Sequence, residues 1–278
     1  MQNYYLKLNE MIESHQVGAS GLVVAGDSEI LPTGTKFIVS ETGEILAGNI
    51  SKDMINVIIG NLLKSIQSKT PQSLTLSKTD PAFFSSSLSV SSSLTSDLTI
   101  FIDPIYPQPR LIILGGGHIA LPLVKLGKLM DFQVTVVDDR PFFANSMRFA
   151  EADEVICENF EKAFQRLSID SNTFVVIVTR GHRYDQLCLE EVLNTAVKPA
   201  YIGMIGSRRK VTTIMNNLQE NGIPEEVLNP VYAPIGLDIG AQTPEEIALS
   251  ILAEMVMIKR YGYSDGLKNQ ARGEKING

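Results

Sequence analysis

The hydrophobic pattern changes character near residue 105. Before it, Ile55, Ile58, Ile59, Leu62, Leu63 and Ile66 recur at spacings of three and four. That predicts a helix over about 52–67 with one buried face. A further helix is predicted over about 3–15. Short apolar runs predict strands Gly21–Ala25, Lys36–Ser40 and Glu44–Ala47. Between the last two, "ETGE" fits a hairpin turn with Gly43 free to take positive φ. The stretch 68–99 is rich in Ser and Thr, the composition of a linker. Yet "SLSVSSSL" alternates and "LTIFIDPI" is β-branched and aromatic, so weak edge strands are expected there.

After residue 110 the runs "LIIL", "FVVIV" and "YIGMI" are apolar on both faces, as in strands covered by helices on two sides. Strands are predicted at Leu111–Leu114, Gln133–Val137, Glu154–Cys157, Thr173–Val178 and Ala200–Ile205. Helices are predicted over His118–Met130, about 160–167, Gln186–Ala196, Arg208–Asn221 and about Pro244–Tyr261. In "TPEE", Thr243 reads as the N-cap, Pro244 as the first helical residue and Glu246 as the capping-box partner.

Strands separated by helices give an α/β class, with a C-terminal doubly wound, Rossmann-like parallel sheet and helices on both faces. A smaller α+β domain precedes it. The expected boundaries are 1–103 for the first domain, a Pro-rich linker at 104–109, the second domain at 110–262 and a tail at 263–278. Pro104, Pro107 and Pro109 each remove a backbone donor and disfavour helix before them.

Composition narrows the function. The 278 residues are 44% hydrophobic with a formal net charge of −7 and a pI near 5.1, which offers nucleic acid no general attraction. No apolar run is long enough to span a membrane, and the N-terminus lacks a signal peptide's apolar core. The two cysteines, Cys157 and Cys188, have no metal-ligand spacing and suit a reducing compartment as buried packing thiols. A soluble cytoplasmic protein with no nucleic-acid partner, no membrane partner and no metal site is the expectation.

Four motifs carry chemistry. Gly115-Gly116-Gly117-His118-Ile119-Ala120 is a G-x-G-x-x-A pattern between a strand and a helix. Gly115 allows the tight turn, Gly117 lets backbone approach a phosphate, and Ala120 allows close helix–strand packing. Asp138 ends the next strand, where a carboxylate accepts ribose hydroxyls, and Arg140 nearby can stack on a base or pair with phosphate.

The second motif, "VTRGHRYD", puts Arg180, Gly181 and His182 at the carboxyl end of a central strand, facing the same crevice as His118. Two of the three histidines then share one sheet edge, for hydrogen bonding or proton transfer. In the third, "MIGSRRKV", Gly206 ends a strand and Ser207 caps a helix whose first turn holds Arg208, Arg209 and Lys210. Cations oppose the dipole at a helix N-terminus, so an anion is expected there. The fourth, "APIGLDIGAQTPEE", brackets Asp238 with Gly236 and Gly240 in a loop shaping a pocket floor. Asp238 there contacts a ligand or closes an Asx turn. Together the motifs predict one crevice with two histidines and a basic clamp.

These motifs, in this order, resemble the xanthine dehydrogenase accessory protein family (XdhC/CoxI-like). The stretches that carry the likeness are "LIILGGGHIALPL", "VTVVDDRPFFANSMRFAEADEV", "VIVTRGHRYDQ", "YIGMIGSRRK" and "PIGLDIGAQTPEEIALSILAE". The resemblance implies an accessory factor, often dimeric, that binds molybdenum cofactor (molybdopterin) and delivers it to a xanthine dehydrogenase-type molybdenum hydroxylase. It implies a chaperone rather than a dehydrogenase. The first half departs from the family: Ile30-Leu31 stand where Pro-Arg is expected, and "LAGNISKDM" and "SLTSDLTIFIDP" lack the glycine- and cysteine-bearing runs. Two other readings stay open on the motifs alone. One is an NAD(P)-dependent oxidoreductase, on the glycine loop and Asp138. The other is a nucleotide- or cofactor-sensing module without turnover.

Overall fold

A computed structural model describes residues 2–14, 16–26, 31–77 and 97–262. His15, Ile30, the run "SLSVSSSL" and the expected tail at 263–278 lie outside the described residues. The chain forms two compact units, Met1–Gln108 and Pro109–Gly278.

The first unit contains α1 (Gln2–Glu13), β1 (Gly18–Ala25), β2 (Lys36–Ser40), β3 (Ile45–Gly48), α2 (Lys52–Ser68), β4 (Gln72–Leu76) and β5 (Leu98–Ile105). Its strands form an antiparallel sheet in the order β3-β2-β1-β5-β4. Gly43 turns the β2–β3 hairpin at φ 85°. Helix α2 is capped by Ser51, whose side chain accepts the Met54 N–H. Its stripe of Ile55, Ile58, Leu62 and Ile66 packs on Ala19, Val23, Phe37, Val39, Ile100 and Ile102. Met11 of α1 covers Ile38, Ala47 and Ile105, which point to the opposite face of the sheet.

Strand β5 runs through Pro104 to Ile105, two residues into the expected linker. Pairing with β4 ends at Ile102, whereas pairing with β1 continues to Ile105. The last residues of β5 thus have an open edge, where proline's missing donor costs no ladder bond.

The second unit holds β6 (Arg110–Leu114), α3 (Ala120–Leu129), β7 (Gln133–Asp138), β8 (Glu154–Cys157), α4 (Phe160–Phe164), β9 (Thr173–Ile177), α5 (His182–Leu193), β10 (Tyr201–Met204), α6 (Arg208–Glu220), α7 (Glu225–Leu228) and α8 (Pro244–Tyr261). The five strands are parallel, in the order β10-β9-β6-β7-β8. Alternate residues separate into two cores. Leu111, Ile113, Val134, Val136, Phe174 and Val176 meet α3 and α8. Ile112, Leu114, Val137, Val175, Ile177 and Met204 meet α4, α5 and α6. Burying one such side chain completely stabilises the fold by roughly 1.5–3 kcal/mol. Double coverage is why these strands read as unbroken apolar runs.

The capping box at α8 has both its halves, Thr243 accepting from Glu246 N–H and Glu246 accepting from Thr243 N–H. Beyond β10, Tyr232 N–H donates to Ile202 O, Met204 N–H to Tyr232 O, and Ile235 N–H to Met204 O. Residues 232–235 thereby extend the parallel sheet by a short irregular segment.

Candidate functional site

In the order β10-β9-β6-β7-β8 the chain reverses direction between β6 and β9. The carboxyl ends of these strands therefore flank the crevice where open α/β sheets bind ligands. The glycine loop leaves β6 there. Gly115 has φ 116°, and a Cβ on it would lie 2.4 Å from Val178 O. A Cβ on Gly116 would lie 2.4 Å from Phe143 O, whereas one on Gly117 has no neighbour within 4 Å. The protein's own packing requires the first two glycines, and the third borders open space. The backbone N–H groups of Gly117 and His118 form no hydrogen bond among the described residues.

Helix α3 starts at Ala120, two residues later than expected, with Ile119 as an N-cap that has no side-chain bond. His118 thus sits in the preceding turn, exposed, rather than in the helix–sheet core. Ala120 is fully buried against the sheet.

Asp138 ends β7 and is only 2% exposed. Its carboxylate accepts from Gly116 N–H (2.8 Å), Arg140 N–H (3.1 Å), Arg140 Nε (2.8 Å) and Arg140 Nη2 (2.9 Å). Burial works against its charge, but the Arg140 fork and the two backbone donors outweigh it and hold the carboxyl below its usual value. The residue expected to take a ribose hydroxyl is instead an internal latch on the glycine loop. Arg140 is committed to this latch, with its guanidinium 3.8 Å from the Phe143 ring centroid.

Arg180 is committed too. It forms a fork with Asp139, Nη1 to Oδ1 at 2.6 Å and Nη2 to Oδ2 at 2.9 Å, and donates to Tyr184 Oη at 2.6 Å. This pair ties the β7 loop to the β9 loop across the switch point. Hydrogen bonding to Asp139 raises the Arg180 pKa further above its already high value.

Helix α5 begins at His182, four residues earlier than expected, with Gly181 as an extended N-cap. A glycine cap leaves no side-chain signal in the sequence. His182 is exposed. One turn on, Asp185 is fully buried and accepts from Thr179 N–H (3.2 Å) and Thr179 Oγ1 (2.6 Å). It also receives Lys210 Nζ from α6.

The basic trio of α6 therefore divides. Lys210 turns inward to Asp185, while Arg208 and Arg209 stay exposed. Ser207 caps the helix by accepting Lys210 N–H at 3.3 Å.

The four motifs build two places, not one crevice. Beside β10 lies a cavity of about 720 Å³. Gly206, Arg208 and Asp238 line it, but none of residues 115–118, 138–140 and 180–182 does. Its buried and half-buried wall includes Ile205, Val211, Ile235 and Ile247, and its exposed rim includes Arg208, Thr212, Asn216 and Asp238. The loop carrying Asp238 is anchored at Gly236, whose φ is 94° and whose Cβ would meet Ser250 Oγ at 2.5 Å. Gly236 N–H donates to Glu254 Oε1 at 3.1 Å, and the Tyr201 hydroxyl bonds the same oxygen. Burial first, then the neighbouring Glu254, push the Tyr201 hydroxyl well above its usual pKa.

Arg148 and Glu254 do not stand out in the sequence as site residues. Arg148 Nη2 reaches Gly117 O at 3.5 Å, and its Nε is buried without a partner. Nothing local marks it, since it lies in an irregular loop. Glu254 does leave a signal: a carboxylate on the apolar stripe of α8, 2% exposed. Cys188 is fully buried, and burial pushes its thiol up. Cys157, expected to be buried, is exposed because it ends the edge strand β8. Among the described residues, no three His, Cys, Asp or Glu side chains gather as a metal centre requires. No helix among them is long and apolar enough to cross a membrane.

Known proteins share much of this second unit. The family described as the XdhC Rossmann domain matches residues 111–255. The uncharacterized protein YqeB of Escherichia coli is 32% identical over 163 residues, which are 58% of this chain and 29% of that protein. A protein of Bacillus subtilis named as a probable xanthine dehydrogenase component is 30% identical over 161 residues, 58% of this chain and 46% of its own length. The molybdenum cofactor insertion chaperone PaoD of Escherichia coli is 29% identical over 97 residues, 35% of this chain and 30% of its own. The chain thus spans less than half the length of each of these relatives.

A crystal structure described as a xanthine dehydrogenase from Bacillus halodurans superposes with a TM-score of 0.50 at 20% identity. It covers 95% of this chain and 98% of its own, a likeness of fold. Since the family match runs from β6 to α8, over more than half of the chain, this protein belongs to the XdhC family through its Rossmann domain.

Proposed function

We propose that this protein is an accessory factor that holds molybdenum cofactor and passes it to a xanthine dehydrogenase-type molybdenum hydroxylase. The names carried by two relatives, a molybdenum cofactor insertion chaperone and a probable xanthine dehydrogenase component, support that direction. One observation carries the choice over hydride transfer. Asp138, the acceptor a nicotinamide dinucleotide would need for its ribose, already takes four donors from the protein itself. The adjoining Gly117 and His118 N–H groups have no such commitment among the described residues. An edge that has closed its sugar acceptor and kept its amides suits a phosphate-bearing ligand.

The residues present fit such a group. Gly117 borders open space, and Arg148 has a buried Nε without a partner beside it. In this reading Gly117 and His118 N–H bind the phosphate of molybdopterin, Arg148 adds the cation, and His118 and His182 flank it. When bound, the cofactor supplies a dithiolene that carries molybdenum for the client enzyme. This chain's part is to bind, orient and shield. We take the factor to act in the cytoplasm as a homodimer, with a molybdenum hydroxylase as its partner.

Titration with molybdopterin tests the reading. Wild type should bind, and Arg148→Ala should bind about tenfold more weakly, the loss expected of one charge-assisted contact. Gly117→Val, which has room to fold, should also weaken binding. Saturable binding of NAD(H) with no affinity for molybdopterin would overturn it. Rescue of hydroxylase activity in a deletion strain separates a delivery factor from a sensing module.

A further inference from the structure

The cavity beside β10 has no part in that assignment. Its lining comes from the end of β10, the first two turns of α6, the loop 233–241 and α8. At about 720 Å³ it falls in the range of sites that enclose a nucleotide-sized ligand.

Its charges distinguish it from the rest of the sheet edge. Arg140, Arg180 and Lys210 are each paired with a carboxylate. Arg208 and Asp238 both line the cavity, and among the described residues neither side chain has an ion-pair or hydrogen-bond partner. They stand on one rim, farther apart than an ion pair, over a wall of Ile205, Val211, Ile235 and Ile247. Arg208 also opens α6, where a cation opposes the helix dipole. Its place is unfavourable until an anion arrives.

An apolar slot takes a flat ring. A guanidinium on its rim takes a phosphate. A carboxylate elsewhere on the rim takes adjacent N–H donors, which a 2-amino-4-oxo heterocycle presents side by side on one edge. Adenine offers no such pair. We propose that this cavity is a second small-molecule site, for a phosphomonoester of a guanine- or pterin-type ring. Arg208 binds the phosphate, Asp238 reads the amino edge, and the apolar wall covers the ring.

Calorimetric titration of the full chain with GMP, guanosine, AMP and inorganic phosphate tests this. GMP should bind at one site per chain, with guanosine and AMP each at least tenfold weaker. Arg208→Ala should lower GMP affinity to that of guanosine and leave guanosine unchanged. Asp238→Asn should erase the preference for GMP over AMP. Thr212→Trp, on the exposed rim, should weaken GMP at least tenfold by filling the slot, and Arg260→Ala should change nothing. Both charged residues are exposed and unpaired, so their variants should melt as wild type does.

Inorganic phosphate binding as tightly as GMP would reveal a bare anion site and overturn the proposal. So would absence of GMP binding, or GMP affinity unmoved by Arg208→Ala and Asp238→Asn. Molybdopterin binding that depends on Arg148 alone leaves the function assigned to the glycine loop intact while this site stands or falls on GMP.

Discussion

The switch point and the cavity share one sheet edge but handle charge in opposite ways. Over β6, β7 and β9, Asp138, Asp139 and Asp185 each hold a basic partner and, between them, fasten three loops. Beside β10, Arg208 and Asp238 hold nothing among the described residues. The difference separates residues that position backbone from residues that can meet a solute. A charged side chain in a glycine-rich loop is not a ligand contact by residue type alone. It becomes a candidate when its own protein leaves it unanswered.

The strongest way to break this contrast lies within three neighbouring cations. Lys210→Ala strands the fully buried Asp185 and should cost roughly 3–5 kcal/mol, toward the low end because Thr179 still donates twice. Arg208→Ala should stay within about 0.5 kcal/mol of wild type. Urea midpoints decide; equal effects would erase the division between inward and outward cations.

Asp138 sharpens the contrast through pH. Its folded pKa lies below the ordinary 3.8. Its contribution is therefore complete above that value and is lost as pH falls through the lower, folded one. Asp138→Asn should be less stable than wild type at pH 7, by roughly 1.5–3 kcal/mol. The two should converge in acid, visible as a flatter midpoint-versus-pH curve for the variant.

Next come the glycines. Gly116→Ala forces a Cβ toward Phe143 O and should cost roughly 1–3 kcal/mol. Gly117→Ala should cost less than about 0.5 kcal/mol, and its effect should appear in ligand binding. A large loss of stability at Gly117 would mean that the third glycine, too, serves packing. The smallest effect belongs to the partly exposed Asp139–Arg180 pair. Arg180→Ala should cost under about 1 kcal/mol, and the difference should shrink in high salt.

Strands and capped helices were legible in the sequence because their signals are local. The runs Glu154–Cys157 and Pro244–Tyr261 coincide with β8 and α8, the latter marked by Thr243, Pro244 and Glu246. Helix starts without a capping side chain were not legible, as at Gly181 before α5 and Ile119 before α3. The four-residue α7, opened by Pro224, is too short to show a repeating stripe. At the candidate site the residue types were readable, but their commitments were not. Asp138 with Gly116, Arg180 with Asp139, and Lys210 with Asp185 are partners set by strand order, 22, 41 and 25 positions apart. Only the parallel sheet brings them into contact.

Glu254 holds the loop 236–241 at its root, through Gly236 N–H, while the same oxygen takes the Tyr201 hydroxyl of β10. The tip at Asp238 contributes nothing to that anchorage. Evolution can therefore exchange residue 238 as a machinist exchanges the bit in a fixed chuck. Descendants of this fold would then diverge in what they select while keeping the socket that holds the selector.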